Sequence, residues 1–326
     1  MSDVVPFDLN CYGGELRFSH IADLLELEAL QSQQGCSRPK NELADFISDD
    51  PSISRTLKTS LFVLGEDEVE EVMDPLAQDV EQSIVEQIFA LLDERSCILG
   101  DRYPFKVEGQ RLLQKQLESN HQDYLNLLDH TLSHHLKQKT IANEQPTKSF
   151  EKLAVTAFTA AGYITSGLMT ESGTFADRLR LAKTKLGSVS FSTNNTIIRR
   201  SQQDGKVDLL AIENLPLDDR SGRTLIIGQV TCSKSSEWEK KRDEPKPEKW
   251  KSLTQNKMSP RACLIVPHHA EADILDSFTQ DDSTRSVYDR IRLCLMLGKA
   301  LPDENSPIPD PTSFNRFRIS NWGLAA

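Results

Sequence analysis

Apolar residues recur at intervals of three and four along most of the first 137 residues. One run extends from Ile21 to Leu30, a second follows Pro75, and a third extends from Leu112 to Leu136. This spacing places apolar side chains on one face of a helix, and a proline suits the first helical turn. We therefore predict that residues 1–137 form a mostly helical domain.

The pattern changes in the segment KQKTIANEQPTKS, where the apolar period is lost and Pro146 appears. A polar, proline-containing stretch of this kind is typical of a connection between domains. We assign residues 138–148 to a linker, and residues 149–326 to a second domain with a helical extension at its C-terminal end.

The second domain begins with an amphipathic helix, Phe150–Ala161, which ends at Gly162. Farther along the chain, continuous apolar runs predict buried strands. These runs are Val207–Ile212, Thr224–Thr231 and Ala262–Val266. Between the last two runs, Ser235–Lys257 has helical ends that Pro245 and Pro247 interrupt. The order helix, strand, strand, helix, strand predicts an α/β fold in which helices cover a mixed sheet.

The charge of the chain is distributed unevenly between its two parts. The chain has 326 residues, which is long enough for two domains, and a net charge of −11. The first 100 residues hold 21 Asp and Glu against 6 Lys and Arg, whereas the remainder holds 28 against 32. The acidity therefore belongs to the helical part, and we expect this part to bind a protein partner or a second copy of the chain.

The sequence lacks the features of an exported or membrane-spanning protein. The first residues, MSDVVPFDLN, contain no basic segment followed by an apolar one, and no run of eighteen apolar residues occurs. Six cysteines are present without a C-x-x-C pair, which argues against a disulfide framework and against a structural zinc site. We expect a cytoplasmic protein with reduced thiols.

Three residues with oxygen donors stand near the ends of predicted elements. Glu151 lies near the start of the helix FEKLAVTAFTAAGY, Asp208 enters the first strand in QDGKVDLLAI, and Gln229 lies near the end of the next strand in LIIGQVTCSK. This order of Phe-Glu in a helix that ends in Gly, Asp-Gly-x-x-Asp before a strand, and Gln at the end of the following strand resembles the PD-(D/E)XK nuclease superfamily. It looks closest to Mrr-like restriction endonucleases, over residues 149–270.

The resemblance implies a restriction-endonuclease-like fold and a metal-dependent endonuclease that hydrolyses DNA, as an effector of bacterial anti-phage or restriction defence. In such enzymes a divalent cation neutralises charge on the phosphoryl oxygens and lowers the pKa of an attacking water. Mg²⁺ prefers oxygen ligands and keeps several waters, so Asp208 and Gln229, completed by Glu151, would hold Mg²⁺ or Mn²⁺. RNA stays open as an alternative substrate.

The sequence departs from the family at the lysine. The family's lysine is expected two residues after the position of Gln229, and Thr231 stands there. Lys241 or Lys234 would then take its role. Trp238 and Lys241 lie three residues apart on one predicted helix face, so that packing of the indole would orient the ammonium group. This spacing favours Lys241.

Each candidate also has a purely structural interpretation. A carboxylate such as Glu151 stabilises the start of a helix, and Asp208 can cap a turn. Gln229 can simply end a strand, and Lys241 belongs to the solvated run KKRDEPKPEK. With Thr231 in the lysine position, the alternative is an inactive nuclease-fold subunit that binds nucleic acid or a partner protein in a defence complex.

Basic residues interleaved with Trp238 and Trp250 predict a nucleic-acid surface around the site. The basic residues are Arg178, Arg180, Lys183, Lys185, Arg199, Arg200, Lys240, Lys241, Arg242, Lys246, Lys249, Lys251 and Lys257. Acidic neighbours dilute the later group, which favours an ordinary solvated helical surface there. The pair His268 and His269 follows a strand, and we expect it to be exposed in a loop.

Overall fold

The computed structural model describes residues 5–7, 12, 15–62, 77–169, 173–187, 189, 191, 206–215, 223–254, 260–281, 285–300 and 307–319. The chain divides into two compact units. Unit 1 consists of Met1–Leu136 and Asn305–Ala326, and unit 2 consists of Lys137–Glu304.

Unit 1 is mostly helical, as the apolar spacing predicts. Its helices are α1 (Phe18–Gln31), α2 (Lys40–Asp49), α3 (Pro51–Phe62), α4 (Ala77–Leu99) and α5 (Gln122–His135). Helix α1 packs against α4, and the side chains of Leu24, Leu27, Ile88 and Leu92 are fully buried. Pro75, the predicted start of the second helical run, lies outside the described residues.

A β-hairpin interrupts the helical part of unit 1. Strand β2 (Phe105–Glu108) pairs antiparallel with β3 (Arg111–Gln114) across a two-residue connection. Gly109 begins this connection at φ +60°, a conformation that a glycine adopts readily and that suits a tight hairpin turn. The prediction that a helical run begins at Leu112 is therefore wrong, and the helix begins at Gln122.

The segment after residue 306 belongs to unit 1. Strand β9 (Phe317–Ile319) pairs parallel with β1 (Val5–Phe7), and the side-chain amide of Gln31 donates a hydrogen bond to the carbonyl of Phe314 at 2.8 Å. Residues 307–319 thus group with unit 1 and not with the second domain, to which the sequence pattern assigns them. A pairing between strands more than 300 positions apart leaves no periodic signal along the sequence.

A buried ion-pair cluster joins the helices and the hairpin region of unit 1. The guanidinium of Arg95 on α4 lies 2.6 Å from Glu26 Oε1 and 2.8 Å from Asp23 Oδ1, both on α1. The hydroxyls of Tyr103 and Tyr124 also donate hydrogen bonds to Glu26 Oε1, at 2.6 and 2.7 Å. A charge taken out of water is tolerated when it is paired and hydrogen-bonded in this way.

Unit 2 is built on a mixed sheet of five strands in the order β4-β5-β6-β7-β8. The strands are β4 (Tyr163–Gly167), β5 (Leu209–Glu213), β6 (Leu225–Val230), β7 (Arg261–Ile265) and β8 (Arg285–Tyr288). Strand β5 runs antiparallel to β4 and β6, whereas β6, β7 and β8 are parallel. The start of β5 and the carboxyl ends of β6, β7 and β8 therefore meet at the same end of the sheet.

Helices cover both faces of this sheet. They are α6 (Pro146–Ala160), α7 (Phe175–Leu186), α8 (Trp238–Asp243), α9 (Pro247–Leu253), α10 (Ala272–Asp281) and α11 (Arg290–Leu297). One face buries Leu210 and Ile227 against Leu179 of α7 and Trp250 of α9. On the other face α6 packs against α11, and Phe158 contacts the Tyr288 ring, with 4.9 Å between the ring centroids.

The coarse prediction of an α/β fold with a mixed sheet between helices, preceded by a mostly helical part, is confirmed. The three predicted strands and the first helix of the second domain all form, with ends shifted along the chain. The predicted interruption of the segment Ser235–Lys257 also occurs, because α8 ends at Asp243 and Pro247 occupies the first turn of α9. The narrower prediction of a restriction-endonuclease-like fold stays a prediction.

Replacing Arg95 by alanine tests the ion-pair cluster. Arg95→Ala leaves Glu26 and Asp23 buried without their guanidinium partner, so we expect the free energy of unfolding of unit 1 to fall by about 3–5 kcal/mol. Arg55→Ala, the control, removes an exposed guanidinium from α3 and should change the free energy of unfolding by less than about 0.5 kcal/mol. Urea unfolding followed by far-UV circular dichroism measures both variants. If Arg95→Ala were as stable as the wild type, the cluster would contribute nothing to the stability of unit 1.

Candidate functional site

Asp208 fixes the point at which the pairing of β5 with β6 ends. Its backbone N–H donates to the carbonyl of Gly228 at 2.8 Å, and its own carbonyl accepts from Leu168 N–H at 2.6 Å. Its carboxylate Oδ2 accepts from the backbone N–H of Val230 at 2.7 Å. The buried carboxylate thus stands where a strand carbonyl would otherwise accept, and it holds β6 beside the start of β5.

Gln229 lies next to Asp208 across the strand pair. Leu209 is the register partner of Gly228, so the next positions toward the end of the sheet are Asp208 and Gln229. Side chains alternate along a strand, and Gln229 therefore points to the same face as Leu225 and Ile227. Its side chain is only 8% exposed. A polar amide is thus held against the apolar face, beside a carboxylate.

The amide oxygen of Gln229 is buried and accepts no hydrogen bond from any residue that the structure describes. Leaving a buried acceptor unsatisfied costs about 1–3 kcal/mol. Such an atom calls for an explanation, and a bound ligand is one. This is the feature of the site that an ordinary strand end does not account for.

Glu151 approaches the end of the sheet from α6. It is buried, and it lies close enough to Cys232 to influence that thiol. Burial raises the pKa of the Cys232 thiol, the hydroxyl of Thr147 lowers it by hydrogen bonding, and the Glu151 carboxylate raises it. The thiol therefore stays protonated at neutral pH, and Cys232 is unsuited to act as a nucleophile.

Within the described ranges, no three His, Cys, Asp or Glu side chains form a group suited to hold a metal ion. Among the described residues, the oxygen donors at the start of β5 and the end of β6 include the carboxylate of Asp208 and the amide oxygen of Gln229. A hard cation that keeps most of its water ligands can be held by as few as one or two protein oxygens.

Thr231 occupies the position of the family's lysine and has a structural role. Its backbone N–H donates to the carbonyl of Ile265 at 3.0 Å, and its hydroxyl donates to Ser233 Oγ at 2.9 Å. These bonds extend the pairing of β6 with β7 by one residue and shape the turn that follows.

The two candidate lysines lie on the segment after that turn. The Lys241 ammonium lies 3.3 Å from Glu244 Oε1, and Glu244 Oε2 lies 3.9 Å from the ammonium of Lys206, two residues before Asp208. Glu244 therefore connects the end of α8 with the start of β5. Lys234 begins the turn that leads into α8, and its side chain is half-buried.

The indole of Trp238 anchors α8 to the sheet. Its Nε1 donates to the carbonyl of Ser233 at 2.8 Å, and its ring stacks on His268 with 5.9 Å between centroids. Trp238 and Trp250 are both almost fully buried. The prediction that they alternate with basic residues on a nucleic-acid surface is therefore wrong for the two indoles, which cannot stack on bases.

The basic residues near the sheet differ in exposure. Seven of them are exposed: Arg180, Lys183, Lys185, Lys240, Lys246, Lys249 and Lys251. Arg242 is buried, and Arg178 donates to the carbonyl of Leu168 at 3.0 Å. Arg199, Arg200 and Lys257 lie outside the described residues. These seven exposed side chains are thus the part of the predicted surface that is accessible to phosphates.

The histidine pair after β7 is buried, so the expectation of an exposed loop is wrong. His268 Nε2 lies 2.9 Å from the carbonyl of Cys232, and the His268 carbonyl accepts from Arg290 N–H at 2.9 Å. The segment is held between the end of β6 and the start of α11. Its sequence, PHHA, carries no apolar pattern that would have predicted this burial.

Comparison with protein-family models, with curated proteins and with solved structures finds no match for this chain. Among the described helices, none combines the length and the apolar character needed to cross a membrane.

Replacing Gln229 by methionine tests whether its amide oxygen is unsatisfied in the protein without ligand. Methionine has nearly the same shape and no polar atom to leave unpaired, so we expect Gln229→Met to raise the free energy of unfolding of unit 2 by about 1 kcal/mol. Urea unfolding followed by tryptophan fluorescence reports mainly on this unit, because two of the three tryptophans of the chain, Trp238 and Trp250, belong to its core.

Ser166 provides a matched control. Its hydroxyl is also buried without a hydrogen-bond partner among the described residues, on β4 opposite Leu210. Ser166→Ala should likewise leave stability unchanged or raise it by up to about 1 kcal/mol. A clear loss of stability in Gln229→Met would mean that the amide has a partner in the free protein.

Proposed function

We propose that unit 2 is a metal-dependent endonuclease of the PD-(D/E)XK type that hydrolyses phosphodiester bonds of DNA, as an effector of anti-phage or restriction defence. The observation that carries the proposal is the buried, unsatisfied amide oxygen of Gln229 beside the carboxylate of Asp208. Functional sites are among the places where proteins retain such destabilising arrangements. The mixed sheet with helices on both faces is compatible with the fold that this class implies.

In this proposal Asp208 and Gln229 hold Mg²⁺ or Mn²⁺ at the start of β5 and the end of β6. When bound, the cation would neutralise charge on the phosphoryl oxygens and lower the pKa of a water. Asp208 keeps its position through the Val230 N–H, and Gln229 keeps its position through the buried face of β6. Glu151 would join the site from α6, which covers the other face of the sheet, and the exposed lysines of α8 and α9 would contact the phosphate backbone.

The acidic unit 1 would then bind a protein partner or a second copy of the chain and control access to DNA. Residues 1–100 carry 21 acidic against 6 basic residues, and such a surface repels nucleic acid.

A second candidate function is an inactive nuclease-fold subunit that binds nucleic acid or a partner protein. The observation in its favour is Thr231, whose N–H and hydroxyl are both engaged in structural hydrogen bonds at the lysine position. This candidate needs no cation and no reactive lysine. It retains the exposed lysines as the binding surface.

Cleavage assays with a conservative variant separate the two functions. Plasmid DNA, linear DNA and RNA are incubated with the full chain and Mg²⁺ or Mn²⁺, with EDTA as the metal-free control. We expect cleavage of DNA that EDTA abolishes, and a loss of about 100-fold or more in Asp208→Asn, which keeps an acceptor for Val230 N–H but removes the charge. Ser166→Ala should cleave normally. Salt-dependent DNA binding without cleavage, unchanged in Asp208→Asn, would support the inactive subunit instead.

The lysine that serves the nucleophile is tested separately. Lys241→Ala should lower the cleavage rate by about 100-fold, because Lys241 is connected through Glu244 to the start of β5 beside Asp208. Lys240→Ala, an exposed neighbour on the same helix, is the matched control and should cleave at the wild-type rate. If Lys234→Ala lost cleavage while Lys241→Ala cleaved normally, Lys234 would be the lysine that serves the nucleophile.

A further inference from the structure

A cleft of about 330 Å³ opens at the β8 edge of the unit 2 sheet. Three arginines line it, Arg242 from α8, Arg285 from β8 and Arg292 from α11. Phe278 and Leu275 of α10 form its apolar wall, and Tyr288 lies beside the arginines. No carboxylate is among the described lining residues. Three cations from three separate elements thus converge on one partly apolar cleft.

The arginines are held in place by their neighbours. The Arg242 guanidinium lies over the Phe278 ring, 4.9 Å from its centroid, and is almost fully buried. Asp243 Oδ1 lies 3.1 Å from Arg242 Nε and 2.8 Å from Arg285 Nη1, so one carboxylate faces two guanidinium groups. The Arg292 guanidinium donates to the backbone carbonyl of Val287. Guanidinium groups therefore outnumber carboxylates among the described residues at this cleft.

The three arginines indicate that the cleft binds an anion with several oxygens. Guanidinium groups donate to phosphate and carboxylate oxygens in fixed pairs, and three of them arriving from different directions suit the several oxygens of a phosphate better than a planar carboxylate. A phosphate monoester carries close to two negative charges at pH 7, which suits a cleft lined by three guanidinium groups. Burial raises the pKa of Tyr288 to about 12, and its phenol therefore stays protonated at pH 7.

We propose that this cleft binds a phosphate monoester attached to a planar or apolar group, the chemistry of a nucleotide. The arginines contact the phosphate, and the wall formed by Phe278 and Leu275 contacts the apolar part. A volume of about 330 Å³ lies at the lower end of the range for small-ligand sites. Strand β8 is two strands from β6, roughly 10 Å across the sheet. The proposal therefore stands whether or not Asp208 and Gln229 support cleavage.

Calorimetric titration of the full chain in EDTA, where metal-dependent cleavage cannot occur, tests the cleft. The probes are AMP, adenosine and short oligonucleotides with and without a 5′-phosphate. We expect AMP to bind with a dissociation constant of about 1 mM or below, and adenosine to bind at least about tenfold more weakly. Tighter binding of AMP identifies a free nucleotide as the source, and tighter, phosphate-dependent binding of the oligonucleotide identifies a nucleic-acid end.

Substitutions of the cleft arginines test whether the phosphate binds there. Arg292→Gln removes an exposed guanidinium and should weaken binding by about tenfold, as should Arg285→Gln if its thermal unfolding matches that of the wild type. Arg55→Gln is the matched control, because it removes the same charge from an exposed position on α3 of unit 1 that belongs to neither proposed site. Absence of binding by both phosphorylated probes, or equal weakening by Arg55→Gln and Arg292→Gln, would overturn the proposal.

Discussion

The hydrogen bond from Val230 N–H to the carboxylate of Asp208 determines the geometry at the end of the unit 2 sheet. At this point β5 begins and the pairing of β5 with β6 stops, because a side chain accepts the bond that a backbone carbonyl would otherwise accept. The same residue holds Leu168 through its carbonyl and Gly228 through its N–H. Three strands therefore depend on one buried aspartate, and the position of Gln229 follows from it.

Two buried acceptors, one in each unit, differ in their surroundings. In unit 1, Oε1 of Glu26 accepts bonds from Arg95, Tyr103 and Tyr124, as expected for an atom whose role is structural. In unit 2, the amide oxygen of Gln229 is also buried and has no donor among the described residues. Stability alone would favour an apolar residue in place of Gln229, and this local cost is the ground for the role that we propose for it.

Sequence patterns predict the parts of the fold that depend on local composition. The strands β5, β6 and β7 are continuous apolar runs buried on both faces, and such runs are recognisable without a structure. Strands β4 (YITSG) and β8 (RSVY) are short and partly polar. They form because the backbone of a neighbouring strand pairs with them, β5 with β4 and β7 with β8. The hairpin β2–β3 was not predicted, because its leucines have a spacing that also suits a helix.

The adjacency of Asp208 and Gln229 follows from their order on consecutive antiparallel strands. The burial of His268 and the pairing of Lys241 with Glu244 depend on how α8 and α11 pack, which no local pattern encodes.

The proposed function requires that Asp208 and Gln229 together form a divalent-cation site. Mn²⁺ binding measured by electron paramagnetic resonance reports on this site without a substrate, because free and bound Mn²⁺ differ in signal. We expect the wild type and Ser166→Ala each to bind one Mn²⁺ with the same affinity, and Asp208→Asn and Gln229→Met to bind it at least about tenfold more weakly. Equal Mn²⁺ affinity in all four proteins would show that these two residues do not hold the cation.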